Sequence, residues 1–185
     1  MDATTTAILS LDIQQGLFQL VPASESILAR AIQVAEFGRT QSMPILHVGL
    51  GFEPGYPEIP PDHPTFGRLR DNSLFVKGSP TAEVPAALKK STDITLYKQR
   101  VSAFSDNQLD MVLRAKRIKT LVLMGISTSG IVLSTLRHAF DKDYSCIVIQ
   151  DACFDPDPDV HRVLMEKIFP RQASVMSADE FTRSR

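Results

Sequence analysis

The sequence predicts a doubly wound α/β fold, with a six-stranded, mainly parallel sheet and helices on both faces. Three observations carry the prediction. Short apolar runs recur along the chain without strict alternation of polarity, the pattern of strands covered on both faces. Segments with apolar residues at helical spacing lie between them. The resulting alternation of strand and helix is the signal for parallel strands joined by right-handed crossovers. The length of 185 residues suits one Rossmann-like domain spanning residues 1–185.

The first strand is Ala7-Ile8-Leu9-Ser10-Leu11. A helix follows, with Ser24 as its N-cap and Ile27, Ala31, Val34, Ala35 and Gly38 along one face. The second strand covers residues 45–50. Residues 51–92 then break the rhythm, holding seven of the 12 prolines. That stretch is too long for an ordinary connection. It is expected to fold over the sheet edge as a pocket wall, with a short helix near residues 82–89; a passive insertion is the alternative. The third strand is Ile94-Thr95-Leu96-Tyr97, followed by a helix bearing Leu109, Val112 and Leu113 and entered from Ser105 or Asp106. The fourth strand, residues 120–124, leads to a helix with Val132, Leu136, Ala139 and Phe140 on its apolar face. The fifth, residues 145–149, leads to a helix with Val163, Leu164, Met165 and Ile168, ended by Pro170. Residues 173–176 form a weaker sixth strand.

Composition excludes several functions. Twenty basic and 21 acidic residues give a net charge of -1, so neither nucleic acid nor an anionic membrane is an expected partner. At 43% hydrophobic, a chain of this length can bury roughly 70% of its unfolded surface and needs no disulfide or metal to fold. Met1–Thr6 lacks a basic leader, and no apolar run approaches the ~20 residues that cross a bilayer. Cys146 and Cys153 form no CxxC pair and fit no zinc spacing. A cytoplasmic protein with reduced thiols is expected.

Ligands of open α/β sheets bind at the carboxyl ends of the strands. There the sequence places Asp12, Lys98, Gly125 and Asp151. Beside apolar neighbours, Asp12 could have a raised pKa and act as acid or base, or it could cap the following turn. Lys98 could hold a nearby carboxylate ionised or stabilise a developing anion, or it could be a solvated strand terminus. The small-residue run Gly125-Ile126-Ser127-Thr128-Ser129-Gly130-Ile131 enters a helix, whose free N–H groups suit an oxyanion or carboxylate. It has neither Gly-Lys-Ser/Thr nor GxGxxG, and no cofactor is expected.

Taken together, Asp12-Ile13-Gln14-Gln15-Gly16-Leu17-Phe18, Lys98 with Ser102-Ala103-Phe104, Gly125-Ile126-Ser127-Thr128 with Thr135, and Asp151-Ala152-Cys153 resemble the isochorismatase-like family, or cysteine hydrolases. The likeness covers about residues 6–181. It implies an Asp–Lys–Cys triad, with Asp12 and Lys98 as catalytic residues and the cysteine six residues after the glycine. That position holds Ile131. Cys146 starts strand five, at the opposite end of the sheet, and Cys153 lies beyond that strand's end, so neither replaces the nucleophile. Attack of a thiolate on nicotinamide, ureas or carbamoyl compounds then loses its basis.

A second mode of the family, which lacks the cysteine, cleaves a vinyl ether by acid catalysis. The resemblance implies that role for Asp12, helped by Lys98 and a water. Ser129 is an alternative nucleophile, though no histidine is placed to activate it. The resemblance further implies a cis peptide between Ile126 and Ser127, and a small-molecule site lined by Gln14, Phe18, Phe104, Ser127 and Ile131, with backbone amides near residues 127–131 as its anion site. It also implies a homo-oligomer, dimer or tetramer. The Asp-x-His zinc run of some members is absent after strand two, where His47 stands alone, and His63, His138 and His161 also lack partners at ligand spacing; no metal is expected. The competing reading is a non-catalytic relative that binds a small molecule or a partner protein in the same pocket.

Overall fold

The computed structural model describes residues 2–18, 21 and 24–183, without the side chain of Ser24; the predicted Ser24 cap thus lies outside the described side chains. Six strands form one sheet: β1 (Thr6–Leu11), β2 (Ile45–Leu50), β3 (Ile94–Lys98), β4 (Thr120–Ile126), β5 (Ser145–Phe154) and β6 (Ser174–Met176). Their order is β3-β2-β1-β4-β5-β6, and every pairing among them is parallel. All six residues of β1 and all six of β2 are buried. Covering on both faces explains why neither strand alternates in polarity.

The helices divide between the two faces. On one, α2 (Ser24–Thr40) and α7 (Ala178–Arg183) close a core in which Ala31, Val34 and Phe181 meet Ile8 and Val122. On the other, α4 (Leu109–Ala115) and α5 (Leu133–Phe140) pack Leu109, Leu113 and Leu136 over Leu9, Leu121 and Val148. Two short helices, α1 (Gln15–Phe18) and α3 (Phe66–Asp71), lie at the carboxyl end of the sheet, and α6 (Pro158–Val163) follows β5. From α6 the chain continues through a π-turn at Leu164–Ile168 and a 3-10 turn at Phe169–Arg171, in which Pro170 ends the helical run.

Three local expectations are corrected. The α4 helix starts at Leu109, not at Ser105 or Asp106. Asp106 has a left-handed φ of 52°, and the Asn107 side chain accepts the Leu109 N–H at 2.8 Å, so helical geometry begins only after both. No helix forms over residues 82–89. A 3-10 turn at Pro80–Ala82 gives way to extended backbone at Glu83, and Pro85 disfavours a helical Val84. The helix of this segment is instead α3, where His63 Nδ1 accepts the N–H groups of Thr65 and Phe66.

The third correction matters most for the site. The fifth strand does not stop at Ile149 but runs to Phe154, through a register shift opposite Leu123 and Gly125 of β4. Cys153 therefore lies inside the strand, paired with Gly125. Asp155, not Asp151, stands at its carboxyl end. Residues 51–92 do form a wall, with their own apolar cluster of Phe52, Tyr56, Phe66 and Phe75 beside Leu50 and a single bridge from Phe52 to Val76.

An aromatic anchor helps to hold the C-terminal helix α7. Phe181 is fully buried and meets Phe37 edge-on at 5.4 Å between ring centroids. Replacing Phe181 with Ala is expected to lower unfolding free energy by about 3–5 kcal/mol. Urea unfolding followed by circular dichroism would measure this, and a loss below about 1 kcal/mol would remove Phe181 as the anchor.

Candidate functional site

In this strand order the chain reverses its winding between β1 and β4, and the crevice of such sheets opens there, beyond the strand ends. Two residues keep it tight. A Cβ on Gly125 would collide with the Leu11 carbonyl, so β1 and β4 approach closely only because position 125 is glycine. Asp12, the residue after β1, has φ 51°, a left-handed turn that Asp tolerates better than most residues. Its N–H donates to the Val48 carbonyl at 2.9 Å, which fixes the turn against β2.

Lys98 ends β3, two strands away from Asp12. Two strand spacings are roughly 10 Å, and the long lysine stem crosses the end of β2 to bridge them. Lys98 Nζ donates to Asp12 Oδ2 at 3.0 Å and to the Arg100 carbonyl at 3.0 Å. Both residues are buried, at 1% exposure for Lys98 and 6% for Asp12. Asp12 Oδ1 is buried with no hydrogen-bond partner. Burial pushes the Asp12 carboxyl above the ordinary carboxylate value, while the Lys98 charge and hydrogen bond, and last the nearby Leu50 N–H, pull it back; that N–H makes its hydrogen bond to Gln14 Oε1, not to Asp12. Burial likewise pushes the Lys98 amine down, against the Asp12 carboxylate. Both shifts have the same first cause: desolvation disfavours the charged form of each group.

Asp12 and Lys98 border a cavity of about 610 Å³, within the usual range for small-molecule sites. Ser127, Gly130 and Ile131 line its β4 side, just after the cis peptide bond Ile126–Ser127. Ile131 is 2% exposed and forms part of the wall without filling the space. Thr65, Phe66 and Leu69 of the 51–92 segment close another side, as the pocket-wall reading expects.

Three of the residues expected to line the site do not border this cavity. Gln14 is tied to the backbone: its amide nitrogen donates to the carbonyls of Leu50 and Ala82, each at 2.8 Å, and its oxygen accepts the Leu50 N–H at 2.9 Å. Phe18 packs with Val21, Ile27 and Ile126. Phe104 packs against His138 in a tilted arrangement at 4.9 Å and stacks on Tyr144 at 6.1 Å between ring centroids. Their chain neighbours Leu17 and Val101 border the cavity instead. The Ser-Ala-Phe run serves as a tether to α5, with Ala103 N–H donating to Thr135 Oγ1 at 3.0 Å and Ser102 Oγ paired with His138 Nδ1 at 3.3 Å.

Asp151 points elsewhere too. It accepts the Ala178 N–H at 2.7 Å and pairs with Arg30 at 3.3 Å, so it holds the start of α7. The residue that sequence reasoning missed is Asp155, buried at 7% exposure, whose Oδ2 accepts the Ser129 N–H at 2.7 Å. The anion site expected from the backbone amides of residues 127–131 is thereby altered, because one of those N–H groups already serves a carboxylate. A turn signal after Phe154, in Asp155-Pro156-Asp157-Pro158, was the only cue.

The histidines are held by structural partners. His47 Nε2 meets Asp93 Oδ2 at 3.1 Å, and His161 Nδ1 meets Thr128 Oγ1 at 2.8 Å. Among the described residues, no group of three or more His, Cys, Asp or Glu side chains is placed to hold a metal ion, and no helix is long and apolar enough to cross a membrane.

Burial pushes the thiols of Cys146 and Cys153 up to about 12, so both are protonated at neutral pH and poor nucleophiles. Neither borders the cavity. The native protein is expected to react with a thiol-specific disulfide reagent at pH 8 only after denaturation. Rapid labelling of one thiol in the folded protein would contradict this burial.

The isochorismatase domain profile matches residues 6–180. The uncharacterized isochorismatase family protein YecD of Escherichia coli is 29% identical over 97% of this chain and 96% of its own. The ureidoacrylate amidohydrolase RutB of Methylobacterium radiotolerans is 30% identical over 91% of this chain and 74% of its own. An isochorismatase family protein from Burkholderia thailandensis superposes with a TM-score of 0.83 at 26% identity, covering 97% of this chain and 94% of the other. With a doubly wound sheet in the order 3-2-1-4-5-6 and a family match across nearly its whole length, this chain belongs to the isochorismatase family.

Proposed function

We propose that the protein is a small-molecule hydrolase in which Asp12 is the general acid and Lys98 its electrostatic partner, with no cysteine nucleophile. One observation carries the reading. Asp12 borders the cavity with Oδ1 unpartnered, while Oδ2 is held by Lys98 at 3.0 Å. A carboxyl whose pKa is raised by burial retains a proton to give. Once the proton passes to the substrate, the Lys98 ammonium stabilises the carboxylate left behind. Water then adds to the activated carbon and returns one proton to Asp12, the bond from that carbon to its heteroatom breaks, and the leaving group departs in its neutral protonated form, so that one water is consumed and the acid is regenerated. The amidohydrolase among the relatives supports hydrolysis as the reaction class.

Ile131 stands where the resemblance places the nucleophile, and a hydrocarbon side chain cannot attack. That residue also favours a second reading, a cavity that binds without turnover. A panel of isochorismate, nicotinamide, simple amides and ureas, assayed on the wild type and on Asp12→Asn, separates the two. Hydrolysis of a panel member by the wild type, lost by at least about a hundredfold in kcat in the variant, is the expected result. Activity that ignores the substitution removes Asp12 from the mechanism. Binding of a panel member with no turnover supports the second reading.

The proton-donor role also fixes a sign. Donation needs the protonated carboxyl, and burial raises its pKa above 3.8. Activity is therefore expected to be highest below the raised pKa and to fall as pH increases through it. A kcat/KM profile that rises over that interval would instead make Asp12 a base.

A further inference from the structure

The cavity wall constrains the substrate more tightly than the reaction type does. Leu17, Val21, Leu50, Leu69, Val101 and Pro156 all face it with hydrocarbon. Among the described residues bordering it, only Asp12 and Lys98 are ionisable acids or bases, and Lys98 Nζ is already bonded to Asp12 Oδ2 and to the Arg100 carbonyl, each at 3.0 Å. Arg100, whose carbonyl accepts from Lys98 Nζ, has its guanidinium committed elsewhere. Arg100 donates to the carbonyls of Gln99 and Glu58 at 2.7 and 3.1 Å and lies over the Phe66 ring at 5.8 Å.

The helix end beside Ser127 and Gly130 would ordinarily welcome an anion. Here Asp155 holds that place. Its Oδ2 accepts from Ser129 N–H at 2.7 Å and its Oδ1 from Asp157 N–H at 3.3 Å, and its chain neighbours Phe154 and Pro156 both line the cavity. His161 adds no compensating charge, since burial keeps its imidazole below its ordinary pKa. Asp155 is buried behind this wall rather than bordering the cavity; an anionic ligand would lose its water, find Lys98 already bonded to Asp12 and the Arg100 carbonyl, and be opposed by the Asp155 charge through the turn that it holds.

We infer that the cavity takes an uncharged, predominantly apolar substrate and discriminates against carboxylates, with Asp155 as a specificity-determining residue. The inference rests on the reading that this cavity is the substrate site. The bond to be hydrolysed then joins apolar groups, and only the reacting atoms are polar.

The test is a binding measurement with two probes of matched shape, phenylacetamide and phenylacetate, titrated calorimetrically at neutral pH. Wild type is expected to bind the amide at least about tenfold more tightly than the carboxylate. Asp155→Asn keeps an acceptor for the Ser129 N–H but removes the charge. It should close most of that gap by strengthening phenylacetate binding while leaving the amide unchanged. Val101→Lys, at a cavity residue that is 42% exposed, needs no change in the fold and should shift preference toward phenylacetate. Equal or tighter binding of phenylacetate by wild type, absence of amide binding at millimolar concentration, or an unchanged gap in both variants overturns the inference. Because the readout is affinity, a preference for the amide without hydrolysis of any uncharged compound would leave this inference standing and defeat the hydrolase reading.

Discussion

The buried pair between Lys98 and Asp12 is the constraint around which the carboxyl end of the sheet is arranged. Removing two charges from water costs several kcal/mol each, and the attraction between them repays this only with good geometry. The fold supplies that geometry at some length. The order β3-β2-β1 places the two residues on either side of β2. The Arg100 carbonyl takes a second lysine proton, and the Asp12 turn is fastened to Val48. One acceptor, Asp12 Oδ1, is still left without a partner. Such an arrangement contributes little to stability, since an apolar pair of similar volume would cost less. What it does achieve is to keep Asp12 and Lys98 together in a buried setting at the border of the cavity.

Around that pair the cavity is largely apolar. Two features usually make members of open α/β folds good anion binders: a free helix N-terminus at the switch point, and basic side chains at the rim. Here Asp155 is bonded at the first, and Arg100 is turned to backbone carbonyls at the second. Both observations point the same way, although they come from opposite sides of the pocket.

Much of this was legible in the sequence, for physical reasons that can be named. Strands buried on both faces leave unbroken apolar runs, so β1, β2 and β4 could be read directly. Residues at their carboxyl ends follow from topology, which brought Asp12, Lys98, Ser127 and Ile131 to one edge. Side-chain direction in a tight turn is set by tertiary contacts, and there the sequence misled. The Gln14 amide found backbone partners, and Phe18 and Phe104 turned away while Leu17 and Val101 faced the cavity. Asp155 was hidden by the register shift in β5, because nothing in Gln150-Asp151-Ala152-Cys153-Phe154 signals that the strand continues past its apolar run. The α3 helix was hidden in proline-rich chain, where a histidine supplies the cap.

The Gln14 amide joins three pieces of chain: the turn that carries Asp12, the end of β2 at Leu50, and Ala82 near the far end of the long insertion. The insertion is thus fastened where it leaves the sheet and again at Ala82, by a residue two positions from Asp12. Between those two points lies α3, which contributes Phe66 and Leu69 to the wall. Sequence change in that span can therefore remodel the shape of the chamber while the Asp12–Lys98 pair stays in place, so that the outline of the chamber and the position of its buried ion pair are free to evolve on separate tracks.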